Sequence, residues 1–176
     1  MIGWLTWTIL LVAERRIMLD KLIKYFVYAT KGYITKTQLI KFLYLADLYS
    51  VKWTGNQLTD LDWCYYQFGP WNEGIDSALN QMNGKEIIQE SQYNATYIRP
   101  VNQAAQADDL DIPLSIKFVL DNIRREWAGS DKLNQLLDYV YSTAPMMEVK
   151  NTHQPEEKVK LNLQAEREKL VSELGL

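Results

Sequence analysis

Four carboxylates, Asp60, Asp62, Glu73 and Asp76, lie close together in the chain. Paired carboxylates transfer protons or hold a divalent cation. Their spacing here matches no known acid pair or cation loop, and solvated acids are the ordinary case. Asp47 is different. It sits in Leu39-Ile40-Lys41-Phe42-Leu43-Tyr44-Leu45-Ala46-Asp47-Leu48, a nearly all-apolar run. On a helical wheel it falls between Leu43 and Ile40, away from Lys41 and Lys52. A lone carboxylate is costly to bury, so it must meet a donor or a cation. It either orders a site or partner contact, or is a satisfied structural acid capping a nearby amide.

Other reactive types are sparse. The single cysteine, Cys64, lies among aromatics and reads as a small core residue, not a nucleophile. The single histidine, His153, precedes Pro155 in a polar loop with no nucleophile to serve. One Cys and one His exclude an internal disulfide and fall short of the roughly four ligands of a zinc site. No glycine-rich run is followed by Lys-Ser or Lys-Thr, so no phosphate loop is expected. Phe68-Gly69-Pro70 reads as a turn that can shape a binding surface through free amides. Arg124 and Arg125 are interleaved with Asp121 and Glu126, as on a solvated mixed-charge face. No enzyme, cofactor or metal is expected.

Composition agrees with a binding protein. The 176 residues fit one main domain, with 47% hydrophobic residues for its core and 23% charged. A net charge of −3 gives no strong sign of nucleic-acid binding. Cysteine usage fits a cytoplasmic setting. Ile2 to Ala13 is apolar, but Arg15 and Arg16 close the run too early for a membrane span of roughly 18 residues. A secretory signal carries its charge before the apolar stretch, not after it. The segment is expected to be a helix or strand packed on the domain or a partner. Met18, which opens a good helix, offers a second start site. A membrane anchor is the weakest reading.

The elements that position these residues follow from periodicity. Leu19, Leu22, Ile23, Phe26 and Val27 share one helical face, ending at Gly32. Thr35-Lys36-Thr37-Gln38 is a capping box opening a second helix that runs to about Trp53 and stops at Gly55. Its apolarity all round predicts the buried centre of a helical domain. Asp60 to Phe68 reads as a short strand, broken by Gly69-Pro70, with Pro70 opening a helix to about Met82. Lys85 to Gln89 and Ala95 to Pro100 read as a hairpin around Tyr93-Asn94, and 102–111 as a polar loop. Ser115 to Trp127 and the stretch carrying Leu133, Leu136, Leu137 and Val140 read as helices. A last helix is expected from Gln154-Pro155, with the stripe Val159, Leu163, Leu170 and Leu174 broken at Glu166 and Arg167. The expected class is mainly α (α+β): a compact helical domain around a buried central helix, with a short strand and a small antiparallel hairpin. Residues 1–18 form an N-terminal extension, 19–149 the domain and 150–176 a C-terminal helical extension.

The segment from Gln38 to Asp47, the strand after it, and Phe68-Gly69-Pro70 together resemble the Panacea domain, the SocA-like antitoxin family of bacteria and phages. The family's pattern is similar to K-L-x-K-L-L-Y-x-A, a spacer, then an aromatic-Gly-Pro. Lys41, Tyr44, Ala46, Gly69 and Pro70 carry the match, with Asp47 and Phe68 completing the signature. Trp127-Ala128-Gly129-Ser130-Asp131-Lys132-Leu133 resembles the family's second helix pair. The resemblance covers about Leu19 to Met147. Where family members often have Thr-His followed by Pro-Trp, this chain has Ser142-Thr143-Ala144-Pro145-Met146.

The resemblance implies an antitoxin that binds and neutralises a toxin encoded beside it, in a toxin–antitoxin or phage-defence system. Some members are thought to deliver a toxin to a protease, so a protease is a second candidate partner. Partner-binding candidates are Trp4, Trp7, Trp53 and Trp71, with Leu163, Leu170 and Leu174. The terminal segments outside the resemblance are expected to help grip the toxin. The competing reading is a winged-helix-like DNA-binding regulator, in which the hairpin would be the wing.

Overall fold

A computed structural model describes the backbone of residues 2–152, 154 and 156–176, and the side chains from residue 11 onward except 12, 153 and 155. His153 lies outside the described residues. The chain is 58% helical, with small antiparallel sheets, and so mainly α with some β.

Helix α1, Ile2–Ala29, is continuous through residue 18. Its C-terminal half buries Leu19, Leu22, Ile23, Phe26 and Val27, the face that periodicity predicts. Helix α2, Lys36–Thr54, opens with the predicted capping box. The Gln38 amide donates to Thr35 Oγ1 at 3.2 Å, and the Thr35 amide to Gln38 Oε1 at 3.1 Å. Gly55 stops it in the left-handed region, φ +81°. Every residue from Gln38 to Leu48 is buried, so α2 is the central helix, packed on by α1, on later helices and on strands. Edge-to-face contacts of Phe26 with Phe42 and Tyr44 with Trp63 tie it to its surroundings.

The next segment differs from expectation. Only Cys64–Tyr65 forms a strand, β1. Pro70 does not open a helix; Pro70–Trp71 is strand β2, which returns antiparallel with Tyr65 opposite Pro70. The amides of residues 58 and 59 are taken by Asp47, which leaves residues 60–63 as a loop and not a strand. Helix α3, Glu73–Met82, is started instead by Asn72, whose Oδ1 accepts from the Gly74 amide at 2.7 Å. Strands β3, Ile87–Gln92, and β4, Ala95–Pro100, form the expected hairpin.

Helices α4, Leu114–Trp127, and α5, Leu133–Ser142, match the periodic stretches. Helix α5 ends at Ser142, and the chain turns at once through Pro145. This proline sits in the first turn of a further helix, α6, Ala144–Val149, where a missing amide hydrogen costs nothing. Gln154-Pro155 does not start the last helix. Val159–Lys160 is strand β5, which pairs with β1 and completes a sheet of order β2-β1-β5. Helix α7 spans Gln164–Leu174. Leu161, Leu163 and Ala165 are buried with the main core.

Candidate functional site

Lys41, Tyr44 and Asp47 project from α2 to three different partners, and each performs a structural task. Asp47 is fully buried and accepts five hydrogen bonds. The backbone amides of Leu58 and Thr59 donate at 2.9 Å each, Thr59 Oγ1 at 2.5 Å, Trp63 Nε1 at 2.8 Å and Gln57 Nε2 at 3.2 Å. Burial pushes the carboxyl above the ordinary carboxylate value, and these donors pull against that shift. A single acid thereby folds the loop after Gly55 back onto α2.

Nearly two turns earlier on α2, Lys41 lies under the β1–β2 hairpin. Its Nζ donates to the Pro70 carbonyl at 3.0 Å, and burial lowers its pKa to about 8. The hairpin closes by paired backbone bonds between Tyr66 and Gly69. Gly69 has φ +116°, which side chains disfavour, and it faces the lysine. A Cβ there would lie 3.3 Å from Lys41 Nζ and 3.5 Å from the Tyr141 hydroxyl. Glycine is thus favoured by the positive φ of the turn, and the ammonium beneath it leaves little room for a Cβ.

Tyr44 completes the row. Its hydroxyl bonds to Thr143 Oγ1 at 2.9 Å, joining α2 to the α5–α6 junction. Ala46, fully buried, lines a small apolar cleft with Tyr49, Trp53, Leu58, Ile116 and Val119. These polar groups are engaged with one another or with backbone, so the cluster is suited to holding loops in place.

The remaining candidates are dispersed. Phe68 stands at the hairpin tip, 77% exposed, and Trp53 at the end of α2 is 65% exposed. Trp71 is half-buried beneath Lys158, whose Nζ lies 4.8 Å from the ring centre. Leu163 is in the core, Leu170 half-buried and Leu174 exposed. The side chains of Trp4 and Trp7 lie outside the described residues. Asp60, Asp62 and Glu73 border a cleft of about 320 Å³ with Asp20 and Arg16. Asp76 instead pairs with Lys36, and Glu73 with Lys158 at 3.7 Å. Among the described residues, no group of three or more His, Cys, Asp or Glu is placed to hold a metal. Cys64 is half-buried, with burial pushing its thiol up. Arg124 and Arg125 both turn to Asp121.

Sequence reasoning passed over three residues that matter here. Thr143 anchors Tyr44. Trp63 supplies one of the donors to Asp47. Glu166 is buried, and its Oε2 accepts from the first amide of α6, Ala144, at 2.8 Å. The available signal was the break it makes in an apolar stripe. An acid interrupting such a stripe is a candidate buried cap.

Among the described residues, no helix is long and apolar enough to cross a membrane. No curated protein and no solved structure matches the chain. The family model described as antitoxin SocA-like, Panacea domain, matches residues 39–151, well over half of the chain. That span opens within α2 and takes in Lys41, Tyr44, Asp47, the Gly69-Pro70 turn and Thr143, so the chain belongs to the SocA-like antitoxin family as a Panacea domain.

Proposed function

We propose that this chain neutralises a cognate toxin by direct protein–protein binding, as a scaffold and not as an enzyme. Membership of the antitoxin family across residues 39–151 carries the reading. The use of Asp47, Lys41 and Tyr44 in internal contacts supports it, because their polar groups already serve the fold. Aromatic side chains that are left outward, Trp53 and Phe68, are of the kinds enriched in protein interfaces.

The test is co-expression. The reading frame adjacent to the gene is expressed alone and with this chain, in the cytoplasm of a bacterial host. Toxicity alone, rescue by the chain and a co-purifying complex support the proposal. A harmless neighbour, or rescue without any complex, overturns it. Rescue that disappears in a protease-deficient host identifies delivery of the toxin for degradation. Salt-sensitive retardation of operator DNA by the purified chain would favour the regulator reading.

A further inference from the structure

We propose that Tyr66 and Trp71 form a cation-binding cradle for an arginine side chain of the toxin, with Lys158 as the resident occupant that the arginine displaces. The identity of the partner rests on the antitoxin reading above. Tyr66 follows β1 and Trp71 lies in β2, so the two rings come from the two arms of one hairpin. Their centres are 5.4 Å apart and their planes are tilted by 46°. Lys158 Nζ sits 4.8 Å from the Trp71 ring centre and 5.4 Å from that of Tyr66, within reach of both π-faces. Glu73, at the start of α3, stands 3.7 Å from the same ammonium. The chain's own lysine thus shows what the cradle accepts: a side-chain cation beside two aromatic walls and a carboxylate.

The cradle is fastened, and its occupant is lightly held. Lys41 grips the Pro70 carbonyl from beneath, next to Trp71, and paired backbone bonds between Tyr66 and Gly69 close the hairpin. The rings need little ordering when a ligand arrives. Lys158 ends an exposed stretch in which Asn151, Thr152, Gln154, Glu156 and Glu157 all face water. Its own side chain is 49% exposed and that of Glu73 77%. A cation–π contact open to water is weak and strengthens when desolvated, and an exposed ion pair adds little. A cation on a partner surface that shields the rings therefore outcompetes Lys158. A guanidinium suits the place better than a second ammonium, because its plane stacks on a ring while its N–H groups fork onto a carboxylate. Charge selects the kind of partner. The net charge of −3 attracts a basic protein surface and repels a second copy, a nucleic acid or an anionic bilayer. Phe68, 77% exposed at the tip of the same hairpin, offers that partner an apolar contact as well.

The test uses the full chain and two probes, N-acetyl-arginine amide and the product of the adjacent reading frame. Lys158→Gln empties the cradle and should keep the unfolding midpoint within about 4 °C of the parent, because the contact it removes is half-exposed. Its affinity for the arginine probe, read from the Trp71 indole N–H signal, should exceed the parent's by about 3- to 10-fold, as for release from an internal competitor. The uncharged N-acetyl-citrulline amide should leave that signal in place. Affinity for the reading-frame product should rise by a similar factor in Lys158→Gln. It should fall by at least about 10-fold in Tyr66→Leu and in Trp71→Leu. A lysine that serves only as a strut predicts no gain on its removal, so unchanged or reduced affinity of Lys158→Gln for the arginine probe overturns the cradle. An equal response to the citrulline compound overturns it too. So does ring-dependent binding of a single-stranded oligonucleotide, or a ring-dependent dimer in light scattering, with no gain toward the arginine probe. A parent chain that neither binds nor neutralises the product, while the arginine probe responds as stated, fails the antitoxin reading and leaves the cradle standing. Tight binding and rescue by the parent that none of the three variants alters overturns the toxin contact alone.

Discussion

The ammonium of Lys41 reaches the carbonyl of Pro70 at 3.0 Å, from a position almost wholly shielded from water. This contact fastens the hairpin to the central helix and gives the fold a pH signature. The folded lysine has a pKa of about 8, against 10.5 for an unhindered one, because burial disfavours its charge. Between those values the unfolded chain holds a proton that the folded chain has released. This lysine by itself makes stability rise with pH through this window, contributing on the order of 2 kcal/mol between pH 8 and 10. From about pH 9.5 the sign reverses. Burial pushes Tyr44 and Tyr49 well up and Tyr141 up to about 12, so folded tyrosines keep protons that unfolded ones lose. Urea unfolding across pH 7 to 11 should show a maximum at about pH 9 to 9.5, and Lys41→Met should remove the rise. A C64S background removes the thiol that titrates in the same range and opposes the effect.

Substituting Asp47→Asn should cost about 3 kcal/mol or more. The side chain keeps its shape, but an NH2 group now meets the donors of Thr59, Trp63 or Gln57. The loss should appear in the urea midpoint. Trp63, fully buried in the parent, should also emit at longer wavelength as residues 57–63 detach. A change below about 1 kcal/mol would mean that the five-donor arrangement contributes little to stability.

Two glycines separate backbone strain from close approach. Gly84 has φ +78° with open space where a Cβ would go. Gly69 has φ +116°, with Lys41 Nζ only 3.3 Å from where a Cβ would go. Gly84→Ala should cost roughly 1 kcal/mol, from the backbone alone. Gly69→Ala should cost about 1–2 kcal/mol more, because the lysine must shift or lose Pro70. In a Lys41→Met background that excess should shrink, and thermal unfolding of the four variants measures the coupling.

The helical frame was legible because its signals are local. The capping box at Thr35, the apolar circumference of α2 and the faces of α1, α4 and α5 require only near neighbours in sequence. The errors fell where a distant residue decides local structure. Residues 60–63 carry strand-like alternation, yet Asp47 has already claimed the amides that lead into them. Val159 has helical spacing with Leu163, yet it pairs with Tyr65, far back in the chain. For the candidate site, the residue types of Lys41, Tyr44 and Asp47 could be read directly. Their partners Pro70, Thr143 and Trp63 could not, because no periodicity links them.

The C-terminal segment, an extension by sequence, should prove part of the fold on removal. Leu161, Leu163 and Ala165 are part of the core. The Gln164 side-chain amide donates to the Gly55 carbonyl at 2.9 Å, and Arg167 donates to the Lys52 carbonyl at 3.1 Å, so α7 caps the end of the central helix. Glu166 caps α6 through Ala144 and lies 3.6 Å from Lys52. Deleting residues 150–176 should therefore unfold the domain or lower its midpoint by well over 10 °C. Point changes locate part of that loss. Glu166→Gln retains an oxygen for the Ala144 amide and should cost less than about 1 kcal/mol. Glu166→Ala leaves a helix-start amide without its acceptor and should cost about 1–2 kcal/mol. Equal effects of the two substitutions would assign the contribution to the ion pair with Lys52, and a harmless C-terminal deletion would show that α7 is dispensable to the fold.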